Sequence, residues 1–329
     1  MSDIETATPI AALHGAKPAE PDWFTRALAQ APERGFVDIA GAKIETLAWG
    51  DPSQPGLLLL HGSGAHADWY SFIAPRLASG RRVVAMSWSG MGGSDWRETY
   101  SQEVLVQEAL TVAEATGLFL SGVAPIVIGH SFGGSMAIAL AAAYGERLGG
   151  VVIVDPPIFS PDRQFERSKR DTQFRAHRIY PSFDAAMARF RFAPPQPCAN
   201  LFIADHIARL SLKPALTDDG APGWTWRFDP FFRRSMRMVV PAPLIAAARC
   251  PIALVRGAAS RLMRPENAAY ARRLLPPGSP YIEIPEADHH VTVDQPLLFI
   301  GAIETLLADW PPSSSGNAHG SASLSSRRI

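Results

Sequence analysis

Short runs of consecutive apolar residues alternate along this chain with longer stretches in which apolar positions recur at helical spacing. The runs are strand-sized: Leu57–Leu60, Arg82–Met86, Pro125–Ile128, Val151–Val154, Ile252–Val255 and Tyr281–Ile284. Uncharged runs such as Ile126-Val127-Ile128 need cover on both faces, which a mostly parallel sheet provides. Helical patterns lie between them, over Ser101–Ala115, Ser131–Tyr144, Glu266–Leu275 and Leu297–Asp309. Ahead of these, Phe36–Ala40 and Lys43–Trp49 flank Gly41-Ala42 and predict a hairpin. Alternation of this kind predicts an α/β sandwich.

The rhythm breaks between about residues 159 and 249. That stretch is rich in Arg, Phe and Pro, and prolines 181, 194, 195, 197, 214, 222, 230, 241 and 243 punctuate it. It shows no clear strand and predicts a mainly helical insertion laid over the sheet, since structureless loops beyond about 15 residues are uncommon in compact domains. Residues 1–34 are loosely patterned and predict an arm. Residues 311–329 are rich in Ser, Gly and Ala without a periodic apolar face and predict disorder. The core is then split into residues 35–158 and 250–310, with residues 159–249 between them. No internal repeat is visible.

Composition narrows this picture. The 329 residues are 47% hydrophobic and 19% charged, enough apolar material for a large core. Thirty-one basic residues balance 31 acidic ones, which argues against a nucleic-acid surface. Two cysteines, Cys198 and Cys250, exclude a disulfide scaffold and a Cys-x-x-Cys zinc site. No apolar run approaches the roughly 20 residues of a membrane span, and the N-terminus lacks a signal-peptide pattern. A cytoplasmic protein is the expectation, with a homodimer left open.

Three segments carry chemistry. The first is Gly129-His130-Ser131-Phe132-Gly133, a Gly-x-Ser-x-Gly motif with an apolar strand before it and an Ala-rich helix after it. It predicts a tight strand-to-helix turn with Ser131 at its apex and the helix N-terminus favouring negative charge behind it. The second is Leu57-Leu58-Leu59-Leu60-His61-Gly62-Ser63-Gly64, a strand entering a His-Gly loop. Such loops supply one backbone N–H of an oxyanion hole, the other coming from the residue after the nucleophile. The expected donors are Ser63 and Phe132, with His61 as a structural brace. His66 and Trp69 either line the pocket or brace the loop.

The third is Ala287-Asp288-His289-His290, after the final strand. A serine hydroxyl needs a base within hydrogen-bond reach, and only one of the two histidines can point at Ser131. Spacing to Asp294-Gln295-Pro296 favours His289, leaving His290 as a packing neighbour.

These motifs, in this order, resemble the α/β-hydrolase superfamily from about Phe36 to Trp310. Ser89-Gly90-Met91-Gly92-Gly93-Ser94 resembles the Gly-x-Gly-x-Ser loop that follows the fourth strand in that family. The resemblance implies an eight-stranded, mostly parallel sheet flanked by helices, with a helical cap inserted after strand six. It also implies a Ser-His-acid triad. The family usually places its acid after strand seven, yet no Asp or Glu lies between Cys250 and Pro265 here. Asp155, at the end of Val151–Val154, is the expected substitute. Glu266 and a water-assisted dyad remain alternatives, and Asp155-Pro156 also reads as an ordinary strand-ending turn.

The expectation is a hydrolase of moderately hydrophobic small-molecule esters or lactones, acting through an acyl-enzyme without metal or organic cofactor. A carbon–carbon bond hydrolase and a small-molecule receptor on the same fold are the alternatives. Expected pocket residues are His66, Trp69, Trp88, Trp224 and Trp226. Phe228, Phe231, Phe232 and Met236 either join them or pack the insertion down, and Arg233, Arg234 and Arg237 read as a solvated basic face.

Overall fold

The computed structural model describes residues 8–160, 175–236 and 239–310. The expected disordered tail, the first seven residues of the arm and Arg237 lie outside these described residues. No helix among them is long and apolar enough to cross a membrane.

Eight strands form one sheet: β1 Glu33–Ile39, β2 Ala42–Trp49, β3 Gly56–Leu60, β4 Arg82–Met86, β5 Ile126–His130, β6 Gly150–Val154, β9 Ile252–Gly257 and β10 Tyr281–Ile284. Their order is β1-β2-β4-β3-β5-β6-β9-β10. β1 and β2 run antiparallel to their neighbours, and the remaining pairs are parallel. The predicted hairpin is present with Ile39 opposite Ala42. Its two turn residues, Ala40 and Gly41, both take positive φ, as a two-residue connection between twisted strands requires.

β3, β4 and β6 are buried along their whole length. Alternate side chains leave opposite faces of a strand. Leu58, Leu60, Val84, Met86, Val151 and Ile153 therefore join helices Gln102–Ala115 and Phe132–Tyr144 on one side. Leu57, Leu59, Val83, Ala85, Val152 and Val154 join Phe299 and Ile303 of helix Pro296–Ala308 on the other. The N-terminal arm carries a helix, Asp22–Leu28, whose fully buried Phe24 packs on Phe72 and Phe202.

The insertion between β6 and β9 contains helices Phe183–Met187, Leu201–Leu210, Phe232–Ser235 and Pro241–Ala246. It also contains a hairpin that the sequence pattern did not predict: β7 Leu212–Leu216 pairs antiparallel with β8 Pro222–Trp226. Pro214 and Pro222 hide it in the sequence. A two-stranded sheet has only edge strands, and edges tolerate the missing N–H of proline.

Side-chain bonds clamp the insertion to loops at the carboxyl ends of the central strands. His66 Nε2 pairs with Ser211 Oγ at 2.9 Å, and Ser71 Oγ with His206 Nε2 at 2.8 Å. Tyr100 donates to Asp229 at 2.7 Å. Gln196 donates to both Asp294 oxygens and accepts from the His290 backbone N–H.

Candidate active site

β5 ends in the predicted sharp turn. Ser131 has φ 55° and ψ −117°, a conformation that costs a non-glycine residue about 1–3 kcal/mol and persists only where surrounding contacts impose it. One such contact is its N–H, which donates to Val154 O of β6 at 2.8 Å. Glycines make the rest fit. A Cβ on Gly129 would lie 2.3 Å from Gly133 O, and one on Gly133 would lie 2.2 Å from Leu60 O.

His289 is buried in the loop after β10. Its Nε2 lies 3.0 Å from Ser131 Oγ and its Nδ1 lies 2.7 Å from Asp155 Oδ2. The carboxylate accepts only, so Nδ1 carries the proton and Nε2 presents its lone pair to the serine hydroxyl. The loop is held from below. Asp288 accepts from the Arg261 backbone N–H at 2.9 Å and pairs with the Arg261 side chain at 3.1 Å, while its own N–H donates to Asp294 at 2.7 Å. Burial raises the Asp294 pKa to about 6 against the bonds from Asp288 and Gln196.

Asp155 follows β6 with φ 45° and no exposed surface. Its N–H donates to Val255 O, and its Oδ1 accepts from Gly257 N at 3.1 Å. Oδ2 also accepts from Ser260 Oγ at 2.6 Å. The other acid weighed in the sequence, Glu266, is exposed in the first turn of helix Pro265–Leu274. The structure thus brings Asp155, and not Glu266, to His289.

His290 turns the other way. Its ring packs on Trp69 and Phe192, with centroids 5.5 and 4.9 Å away. Neither ring nitrogen meets hydrogen-bond geometry. Burial, then the neighbouring His289 and His130, hold its pKa well below the usual histidine value, although the Pro194 carbonyl pulls the other way. His130 donates its Nε2 proton to His289 O at 2.9 Å, and burial lowers its pKa to about 3. Among the described residues, His130, His289 and His290 form a three-histidine group, with ring nitrogens within 4.8 Å of one another. Both His289 nitrogens and one of His130 are already engaged in hydrogen bonds.

The His-Gly loop lies against the elbow, since a Cβ on Gly62 would sit 3.3 Å from Ser131 Cβ. His61 fixes that loop. Its Nδ1 pairs with Gly62 O at 2.7 Å, and its Nε2 accepts from Trp88 N at 3.1 Å. Burial lowers its pKa to about 3, so it stays neutral. Ser63 follows on this loop, and Phe132 opens the helix after Ser131.

The five expected pocket residues separate. Trp88 is fully buried, and its Nε1 donates to His61 O at 3.0 Å. It braces the His-Gly loop, and its ring packs on Phe132 with centroids 6.1 Å apart. His66 ties the loop to the insertion through Ser211. Trp69 lies beside His290 and Phe192. Trp224 and Trp226 pack within the insertion, on Phe183 and Phe190 respectively.

Three contributors carry no sequence signal of their own. Ser260 stands in a loop without acids and Gln196 in a proline-rich one. Glu45 lies on β2, where it accepts from Ser87 Oγ and Gly93 N and so holds the Gly-x-Gly-x-Ser loop.

A serine on a strand–helix elbow, a histidine from the loop after the last strand and a carboxylate after β6, all on this sheet, define a hydrolase of the nucleophile-elbow class. The chain belongs to the alpha/beta hydrolase family, whose model matches residues 57–302. Esterase Rv0045c of Mycobacterium tuberculosis is 29% identical over 277 residues, covering 82% of this chain and 87% of the relative. The crystal structure of that esterase superposes with a TM-score of 0.65 at 25% identity, covering 89% of this chain and 100% of the other. A 2-hydroxymuconate semialdehyde hydrolase from Pseudomonas sp. is 33% identical over 129 residues, covering 37% of this chain and 44% of the relative.

Proposed function

We propose that the protein is an ester hydrolase in which Ser131 is the nucleophile, His289 the general base and Asp155 the acid that orients it. The observation that carries this reading is the continuous chain from Ser131 Oγ through His289 to Asp155 Oδ2, at 3.0 and 2.7 Å. His289 Nε2 takes the serine proton as Oγ attacks the substrate carbonyl. The backbone N–H groups of Ser63 and Phe132 stabilise the oxyanion, and the helix N-terminus adds favourable charge. His289 then protonates the leaving alcohol. Water activated by the same nitrogen hydrolyses the acyl-enzyme.

The likeness to an esterase across most of both chains supports this reaction class. Substrates are moderately hydrophobic small-molecule esters or lactones, admitted between the sheet and the insertion, which acts as a cap. Apolar walls with a few polar groups are the usual lining of such sites. A second reading is a carbon–carbon bond hydrolase using the same three residues. The partial likeness to a hydrolase named for a semialdehyde, not an ester, favours keeping it.

A panel of p-nitrophenyl esters, lactones and β-diketones, with Ser131→Ala as control, tests both. Ester or lactone turnover lost in Ser131→Ala supports the first reading, and diketone cleavage alone supports the second. Equal turnover by both proteins on every substrate sinks the enzyme reading. Saturable binding with negligible turnover would indicate a receptor.

A further inference from the structure

We propose that Ser260 is a positioning residue for Asp155. The inference rests on the Ser131–His289–Asp155 reading. It starts from the loop after β9, which carries no acid from Pro251 to Arg264. Ser260 sits there, 4% exposed, with its Oγ 2.6 Å from Asp155 Oδ2.

The direction of that bond is set by the carboxylate, which only accepts, so the Ser260 hydroxyl proton points at it. Met263 N–H donates to Ser260 Oγ at 2.9 Å and occupies one of its lone pairs. Asp155 Oδ2 therefore receives two donors, Ser260 O–H and His289 Nδ1–H, while Oδ1 receives Gly257 N–H. Three donors, from the end of β9, the loop after it and the loop that carries His289, fix the plane of the carboxylate. Without Ser260 only two remain, and the carboxylate can rotate about its χ2 away from His289.

The loop itself is well held. Ala258 N–H donates to Ile284 O, Ala259 N–H to Ala287 O and Ser260 N–H to Gly257 O. Residue 260 is thus anchored to the same backbone segment that presents His289. Ser260 Oγ and His289 Nδ1 are each within one hydrogen bond of the same Asp155 oxygen.

Three variants test this by steady-state kinetics on the best ester of the panel, with thermal melts to check folding. Ser260→Ala should lower kcat by about 10- to 100-fold, the scale of a small misplacement of a catalytic group, with KM unchanged because Ser260 is not placed against substrate. Asp155→Asn should lower kcat by about 10⁴-fold. Ser260→Thr, which keeps the hydroxyl, should retain most of the wild-type kcat, a rescue that tracks the hydrogen bond to Asp155. Wild-type kcat in folded Ser260→Ala, or a loss in folded Ser260→Thr as large as that in Ser260→Ala, overturns the inference while leaving the triad reading intact. If Ser260→Thr does not fold, kcat of Ser260→Ala decides alone. Normal turnover in Asp155→Asn removes the triad reading and this inference with it.

Discussion

Asp155 and His289 stand 134 residues apart in the chain, and their side chains meet at 2.7 Å. Asp155 ends one central strand, and His289 follows a strand two places away in the sheet. Exposed Glu266 takes no part in that pair. Asp155→Asn is expected to lower kcat by about 10⁴-fold, because the amide no longer selects the productive imidazole tautomer. Glu266→Gln is expected to change it by less than about twofold, as surface substitutions generally do. Side-by-side kinetics of the two variants, each with an unchanged melt, check the assignment.

The elbow makes a second prediction. Gly133→Ala would place a Cβ 2.2 Å from Leu60 O, a backbone atom at the carboxyl end of β3. Overpacking of this kind costs about 1–3 kcal/mol or more, and the backbone shift would also move Ser131. Gly301→Ala is the control, since an added Cβ there meets nothing within 4 Å. It should be neutral or stabilising by up to about 1 kcal/mol through helix propensity. Urea unfolding of both variants gives the comparison.

Acid should destabilise the fold. Burial lowers the pKa of His61 and His130 to about 3 and that of His206 to about 4, from an ordinary 6.5. Their contribution is complete above pH 6.5. As pH falls from there toward about 3, the unfolded chain takes up protons that the folded chain refuses, and stability is lost. Each histidine in this window contributes a slope of about 1.4 kcal/mol per pH unit. Asp294 acts in the opposite sense. Its pKa is raised from 3.8 to about 6, so acidification through that interval favours the folded state. Three groups outweigh one, and the urea midpoint should fall between about pH 7 and pH 5. A flat or rising midpoint would contradict this.

Arg34 bridges two buried acids, Glu45 and Asp68, the latter at 2.6 Å. Glu45 holds the Gly-x-Gly-x-Ser loop, and Asp68 belongs to the segment that follows the His-Gly loop. Arg34→Met would leave two carboxylates short of a partner. Half of the arginine is exposed, so the expected loss is about 1–3 kcal/mol, below the full penalty for breaking a buried pair. In a double-mutant cycle with Glu45→Gln, the two losses should be less than additive. Strict additivity would show that the pair contributes nothing.

Much of the architecture was readable from residue pattern. Each of the six predicted apolar runs appears as a strand within a residue or two, because uninterrupted apolar runs have few other places to go, while β1 begins three residues before its predicted start. The turn at Ser131 was equally readable, since glycines at 129 and 133 and an Ala-rich run after them are short-range features. The β7–β8 hairpin was not, because Pro214 and Pro222 suppress the usual strand signal. That Trp88 is buried against His61 and Phe132 was not readable either, for an aromatic residue looks the same in sequence whichever way its ring points. Ser260 had no signal at all: one serine among Gly, Ala and Arg becomes informative only when Asp155 is beside it.

By itself the sequence determined the local geometry: strands, helices, the hairpin at Gly41 and an elbow carrying Ser131. These depend on backbone sterics and on apolar periodicity over a few residues. The tertiary structure decided which acid meets His289, which of two adjacent histidines faces Ser131 and what holds the acid in place. Those choices depend on strand order, which sets the ends of β5, β6 and β9 side by side and brings the loop after β10 across them. A hydrogen bond forms only within about 3 Å, and residues that are remote along the chain reach that distance only after the sheet has assembled.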